Sequence, residues 1–115
     1  MTRVTVLIRE FDTKMTEKDL QNNIIQIARL LGYHVHAERP SINRRGKWST
    51  AIQGVPGYPD LTLAKQGKVL FIECKSEKGQ PTDYQTSWAL ALPNYYLARP
   101  SAWLSGEIER ILKGT

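Results

Sequence analysis

The sequence predicts an α/β fold with a mixed central β-sheet flanked by α-helices, and three observations carry that prediction. Leu20, Ile24, Ile27 and Leu31 recur at helical spacing. Val69-Leu70-Phe71-Ile72 is apolar on both faces, as a central buried strand requires. The segments then follow one another as helix, strands, helix, strand, helix, which suits a sheet covered by helices. With 115 residues, 41% of them hydrophobic, residues 1–115 are expected to form a single domain around one core.

Each element has its own signal. Val4, Val6 and Ile8 alternate with Thr5 and Arg9, so Thr2 to Phe11 reads as a first strand or extended arm, and residues 1–16 precede the core pattern. Thr16 followed by Asp19 has the spacing of a helix N-cap, and Gly32 closes the helix that follows. Tyr33 to Glu38 alternates like a strand, and Arg39 to Thr50 forms a polar, basic connection. Asp60 to Ala64 and Val69 to Ile72 make a hairpin about Gln66-Gly67. Thr82 caps a second helix from Asp83 to about Leu92, with Gln85 three residues on, and Pro93-Asn94 ends it. Tyr95 to Ala98 is a short strand, and Ser101 caps a last helix whose Leu104, Ile108, Ile111 and Leu112 face inward.

Composition narrows the function classes. A net charge of +5 points to an anionic partner, nucleic acid first and a membrane surface second. The lone Cys74 excludes an internal disulfide, and its place in the apolar strand suits a core side chain better than a nucleophile. No apolar run approaches the roughly 20 residues that span a bilayer, and Met1-Thr2-Arg3-Val4 lacks a signal-peptide core. A cytoplasmic location is expected.

The chemistry concentrates in Gly57-Tyr58-Pro59-Asp60 and Glu73-Cys74-Lys75. If Gln66 and Gly67 are the two central turn residues, Lys65 pairs with Lys68 and Asp60 comes to lie across from Glu73. Cβ atoms of opposed residues stand about 4.5–5.5 Å apart, so two carboxylates there repel unless a cation lies between them. Lys75 projects from the same face as Glu73. A charge pair at a strand end, and a Pro-Asp turn before a strand, are the plainer accounts of these residues. Three charged groups converging on one end of an apolar hairpin favour a divalent metal site and phosphodiester chemistry.

The run of helix, strand, basic loop, Gly-x-Pro-Asp, hairpin, Glu-x-Lys, Gly-Gln and helix with Gln resembles the VRR-NUC family of PD-(D/E)XK nucleases. It is most similar to the small stand-alone members of viral type, from about Glu17 to Leu112. The resemblance implies a restriction-endonuclease-like core and carries the catalytic roles onto Asp60, Glu73, Lys75 and Gln85, with Glu17 and Gln21 matching by position on the first helix. Leu92-Pro93-Asn94 departs from the family's glycine-containing connection. Mg²⁺ or Mn²⁺ is the implied cofactor, held by Asp60, Glu73 and the main-chain carbonyl of Cys74, with Glu17 a further candidate. Lys75 is expected to position a water or stabilise charge on the phosphate. Gln85 has two accounts, since Thr82-x-x-Gln85 is also a capping box, and Glu17 likewise suits a helix first turn.

Arg39, Arg44, Arg45 and Lys47, near Trp48, compose a basic segment suited to nucleic-acid backbone contact, and Lys78 and Gln80 are candidate contacts beyond the site. Gly54 to Gly57 would let a phosphodiester approach closely. His34 and His36 share a strand face, but zinc needs more His or Cys than the chain offers, so a half-exposed strand is the better account. Tyr95 and Tyr96 read as sheet and surface aromatics. The family's stand-alone members imply a branched-DNA substrate such as a four-way junction, and its two-fold symmetry a homodimer. A non-catalytic nucleic-acid-binding module, or a nuclease for RNA or flaps, are the alternatives.

Overall fold

The computed structural model describes residues 14–38, 41–42, 45–46, 48–49 and 52–114, with 41–42 and 48–49 described in their backbone only. The arm expected over Thr2 to Phe11 lies outside the described residues, as do Arg39, Arg44 and Lys47.

Helix α1 (Glu17–Leu30) begins where Thr16 and Asp19 form a reciprocal capping box, each side chain meeting the other's backbone N–H. Its inward stripe is Leu20, Ile24 and Ala28, with Ile27 and Leu31 packed at the margin. Gly32, at φ +91°, turns the chain into β1 (His34–Ala37). A two-stranded ladder, β2 (Ser41–Ile42) against β3 (Trp48–Ser49), occupies part of the expected connection. Gly46 at φ +77° supplies a turn conformation there that the polar composition concealed.

The hairpin of β4 (Leu61–Lys65) and β5 (Lys68–Cys74) has the expected register, with Lys65 opposite Lys68 and Leu61 opposite Ile72. Gln66 and Gly67 both have positive φ, +52° and +79°, the requirement of a type I′ turn. After β5 come α2 (Asp83–Ala91) and β6 (Tyr95–Ala98), which pairs parallel to β5. The four-stranded mixed sheet is ordered β1-β4-β5-β6, so β5 is central as its two-sided apolarity requires. The last expected helix is two: α3 (Pro100–Leu104) and α4 (Glu107–Lys113), parted at Gly106 with φ +85°. Ser101 is not the cap; Arg99 precedes Pro100 at the first helical position, where a missing N–H costs nothing. The Ser101 N–H instead donates to Glu77 at 3.0 Å.

Helices α1 and α4 cover one sheet face. Leu20, Ile24 and Ala28 meet Leu61, Leu63, Ile72, Cys74, Ala98, Ile108 and Leu112, all at most 2% exposed. Burial of each leucine or isoleucine contributes about 1.5–3 kcal/mol, which fixes the sheet against α1. Alternation puts Thr62, Phe71, Glu73 and Tyr95 on the opposite face, toward α2. There Tyr58 stands edge-on to Phe71 and to Trp88 of α2, with ring centroids 6.2 and 5.1 Å apart. Among the described residues no helix is long and apolar enough to cross a membrane.

Candidate metal centre

Asp60 and Glu73 are brought to the same end of the hairpin by the register that begins at Gln66-Gly67. Each step of the antiparallel ladder raises one number and lowers the other, so Leu61 opposite Ile72 leaves Asp60 beside Glu73. Glu73 is 2% exposed, the one buried charged residue among those described, and Asp60 is half-buried. Asp60 Oδ2 accepts the Cys74 N–H at 2.9 Å, which fixes the carboxylate against the strand.

A main-chain oxygen completes this cluster. The Lys75 N–H donates to Ala98 O and the Phe71 N–H to Asn94 O, so odd-numbered residues of β5 bond to β6. Parallel alternation then turns the N–H and C=O of Cys74 toward the Pro59 side. Pro59 has no N–H with which to meet that carbonyl. The register thus leaves this oxygen, the one expected from the sequence to face a metal, without a ladder donor from Pro59.

The electrostatics are those of two acids forced together out of water. Burial, reinforced by the Asp60 charge, pushes the Glu73 carboxyl up to about 8 against the opposing pull of Lys75. Burial likewise raises Asp60 above the ordinary carboxylate range, although the Cys74 N–H works the other way. The pair shares a proton near neutral pH in preference to holding two charges. Burial also drives the Cys74 thiol well above its usual range, in keeping with a core side chain. Tyr95, on the Glu73 face, is pushed up to about 12 by burial and by the two carboxylates.

The surrounding groups hold this pair in place. Gln85 forms the capping contact and also reaches the acid pair: its Oε1 accepts the Thr82 N–H at 2.9 Å and its Nε2 donates to Glu73 Oε2 at 3.2 Å. The Thr82 hydroxyl accepts the Gln85 N–H at 3.1 Å and completes the capping box. Glu17, in the first turn of α1, accepts the Ser76 N–H at 3.2 Å, and its charge adds to the repulsion felt by Asp60. Its carboxylate therefore sits beside the pair while anchoring the strand end. Gly57, at φ +85°, lies so close to α2 that a Cβ would fall 2.8–2.9 Å from Tyr84 Cβ, Tyr84 C and Gln85 N. The glycine of Gly-x-Pro-Asp thus lets the loop seat against the helix that carries Gln85.

Arg99 is a site-supporting residue that sequence reasoning missed. Its Nη1 donates to Ser76 O, Glu77 O and Gly79 O at 2.7, 3.1 and 2.7 Å, gathering the turn that follows Lys75. An arginine before Pro100 carries no local signal for this, because its partners lie 20 to 23 residues away. Trp88 is likewise unannounced, and its Nε1 donates to Val55 O and Pro56 O at 3.3 and 2.9 Å.

The outer candidates are less gathered. Lys75 is half-buried beside the carboxylates, while Lys78, Gln80 and Arg45 are exposed. Gln21 is half-buried on α1. His34 and His36 are exposed on β1, with His36 Nε2 3.4 Å from Glu38 Oε1, as a half-exposed strand implies. Among the described residues no three His, Cys, Asp or Glu side chains converge as a metal-holding group. The donor set is two carboxylates and one carbonyl, which fits a hard cation that keeps several waters. Comparison with protein-family models, curated proteins and solved structures returns no match for this chain.

Proposed function

We propose that the chain is a Mg²⁺- or Mn²⁺-dependent endonuclease acting on branched DNA as a homodimer, with a restriction-endonuclease-like core. The observation that carries the reading is the buried Glu73 held against half-buried Asp60, whose repulsion a cation would relieve, beside the Cys74 carbonyl that the register turns toward Pro59. Those three oxygens would hold the metal, which supplies polarisation of a phosphate oxygen and a bound water acidic enough to ionise near neutral pH. Lys75 presents a cation to the phosphate and to the charge that grows on it during attack. Gln85 orients Glu73 through its amide and keeps one of its oxygens from rotating away. Glu17 holds the strand end and lends negative charge to the cluster. The net charge of +5 favours a polyanionic substrate, with Arg39, Arg44, Arg45, Lys47, Lys78 and Gln80 as the candidate backbone contacts. The homodimer follows from the symmetry of a four-way junction.

The two-carboxylate cluster, smaller than a three-acid metal group, favours as a second reading a non-catalytic nucleic-acid-binding module. Against it, carboxylates beside a phosphate site weaken binding unless a metal intervenes. Cleavage of end-labelled four-way junction, flap, duplex and single strand by wild type and Asp60→Asn, each in Mg²⁺, Mn²⁺ and chelator, separates the two. Paired symmetric nicks in junctions, lost in the variant and in chelator, are expected. Equal junction binding by both proteins with no cutting under any metal would refute the nuclease.

A further inference from the structure

A cavity of about 330 Å³ opens between Glu38 just past β1, the 52–58 loop and Asp60 just before β4. Ile52, Val55, Pro56 and Tyr58 supply its apolar walls, and Glu38 and Asp60 are the charged groups that line it. Ile52 and Val55 are 53% and 54% exposed, large apolar side chains that hold much of their surface open to water.

We propose that this cup receives one unstacked nucleobase adjacent to the scissile phosphate, and that Glu38 selects bases carrying an exocyclic amino group. The inference rests on the nucleic-acid reading of the neighbouring carboxylates and names a substrate feature for it. Three properties of the cup decide its occupant. Its charged groups are both carboxylates, so a phosphate is repelled and a neutral group preferred. Its walls are largely apolar, from Ile52, Val55, Pro56 and Tyr58, which suits the faces of a heterocycle. Its two carboxylates accept hydrogen bonds, so the entering edge must donate; cytosine, adenine and guanine offer an exocyclic amino group with two N–H donors, where thymine offers the single N3–H. Shared lining by Asp60 places the cup within one nucleotide of any phosphate bound at the metal centre.

The walls are held before any ligand arrives. Trp88 fixes the main chain at Val55 and Pro56 from α2, and Gly57 is pressed against Tyr84 and Gln85. The Tyr58 hydroxyl meets Thr62 Oγ1 at 3.0 Å, and the Glu38 N–H donates to Asp60 O at 3.2 Å. Little order has to be created on binding, so the contact energy is not consumed by loop closure.

The test uses the full chain with branched and single-stranded oligonucleotides carrying 2-aminopurine at successive positions, in chelator so that nothing is cut. Wild type is expected to raise fluorescence several-fold at one position, and Val55→Asp and Ile52→Asp, both at exposed sites that tolerate charge, to abolish the rise. In Mg²⁺ or Mn²⁺, substrates with cytosine or adenine at that position are expected to be cut roughly tenfold faster than those with thymine. Glu38→Gln is expected to collapse that ratio. No rise at any position overturns the cup, and if cleavage proceeds the nuclease survives without it. A rise that persists in both aspartate variants also overturns it, because the base then lies elsewhere. A rise lost in those variants, with no cleavage under any metal, supports the cup and refutes the nuclease.

Discussion

Replacing Glu73 by glutamine should stabilise the metal-free protein at pH 8 and remove most of its dependence on pH. In the folded chain the carboxyl is pushed up to about 8, against 4.5 when free in water. The folded state therefore binds a proton that the unfolded state has released between those values, and stability falls as pH rises through that window. Displacement over that interval corresponds to a ceiling of ~4–5 kcal/mol. Water reaching half-buried Asp60 should reduce this to about 2–3 kcal/mol in practice. Glutamine keeps the shape and carries no charge at any pH. Urea unfolding in chelator at pH 5, 6, 7 and 8 gives the comparison directly. Wild type should lose about 2 kcal/mol or more across that range, with most of the loss absent in Glu73→Gln. Mg²⁺ should restore wild type at pH 8 more than at pH 6, because it replaces the proton, and should leave the variant nearly unchanged. A wild-type stability that is level or rises from pH 5 to 8 would refute the description of the pair as acids held out of water.

Gly57→Ala should cost about 2–4 kcal/mol, from the strain of a side chain at φ +85° and a Cβ within 2.9 Å of α2 backbone. A urea midpoint within error of wild type would show that the loop can lift off the helix freely. Gln85→Glu retains the capping geometry and sets a third carboxylate against Glu73, so it should leave stability nearly unchanged at pH 5 and lower it by about 1–2 kcal/mol at pH 8. Equal effects at the two pH values would sever Gln85 from the acid pair. Arg99→Met removes the donor to three carbonyls and should cost about 2–3 kcal/mol, with faster amide exchange concentrated at 76–79. Exchange spread evenly over the chain would assign the loss to packing.

Local signals carried much of the fold. The Thr16 and Thr82 caps, the period of Leu20 and Ile24, and the Gln66-Gly67 turn each depend on residues within a few positions, and the structure has all of them. The turn mattered most, because it set the register and with it the meeting of Asp60 and Glu73. Elsewhere one period concealed two helices: Leu104, Ile108, Ile111 and Leu112 keep helical spacing across Gly106, whose left-handed conformation divides them. The Ser101 cap failed because Pro100 outranks serine at a helix start and because Glu77 meets the Ser101 N–H from across the chain. Arg99 with its carbonyls, Glu17 with Ser76 and Trp88 with the Val55 loop are long-range bonds between residues that show no shared pattern. The meeting of the two carboxylates was thus more legible than the scaffolding around them. Gln85 lay between, since a capping residue and a partner for the acid proved to be opposite ends of one amide.

Pro59 bears on how faithfully the hairpin assembles. Antiparallel strands can misalign by two residues and still show the same faces, so alternation of apolar and polar side chains does not guard against such an error. In one of the two possible shifts Pro59 would come to face Ile72, so the carbonyl left without a ladder donor moves from Cys74, at the end of the sheet beside the carboxylates, to Ile72 inside the sheet. That misalignment would also carry Asp60 past Glu73 and dissolve the acid pair. The residue that spares an oxygen at the sheet's end therefore also proofreads the pairing that sets the two carboxylates side by side.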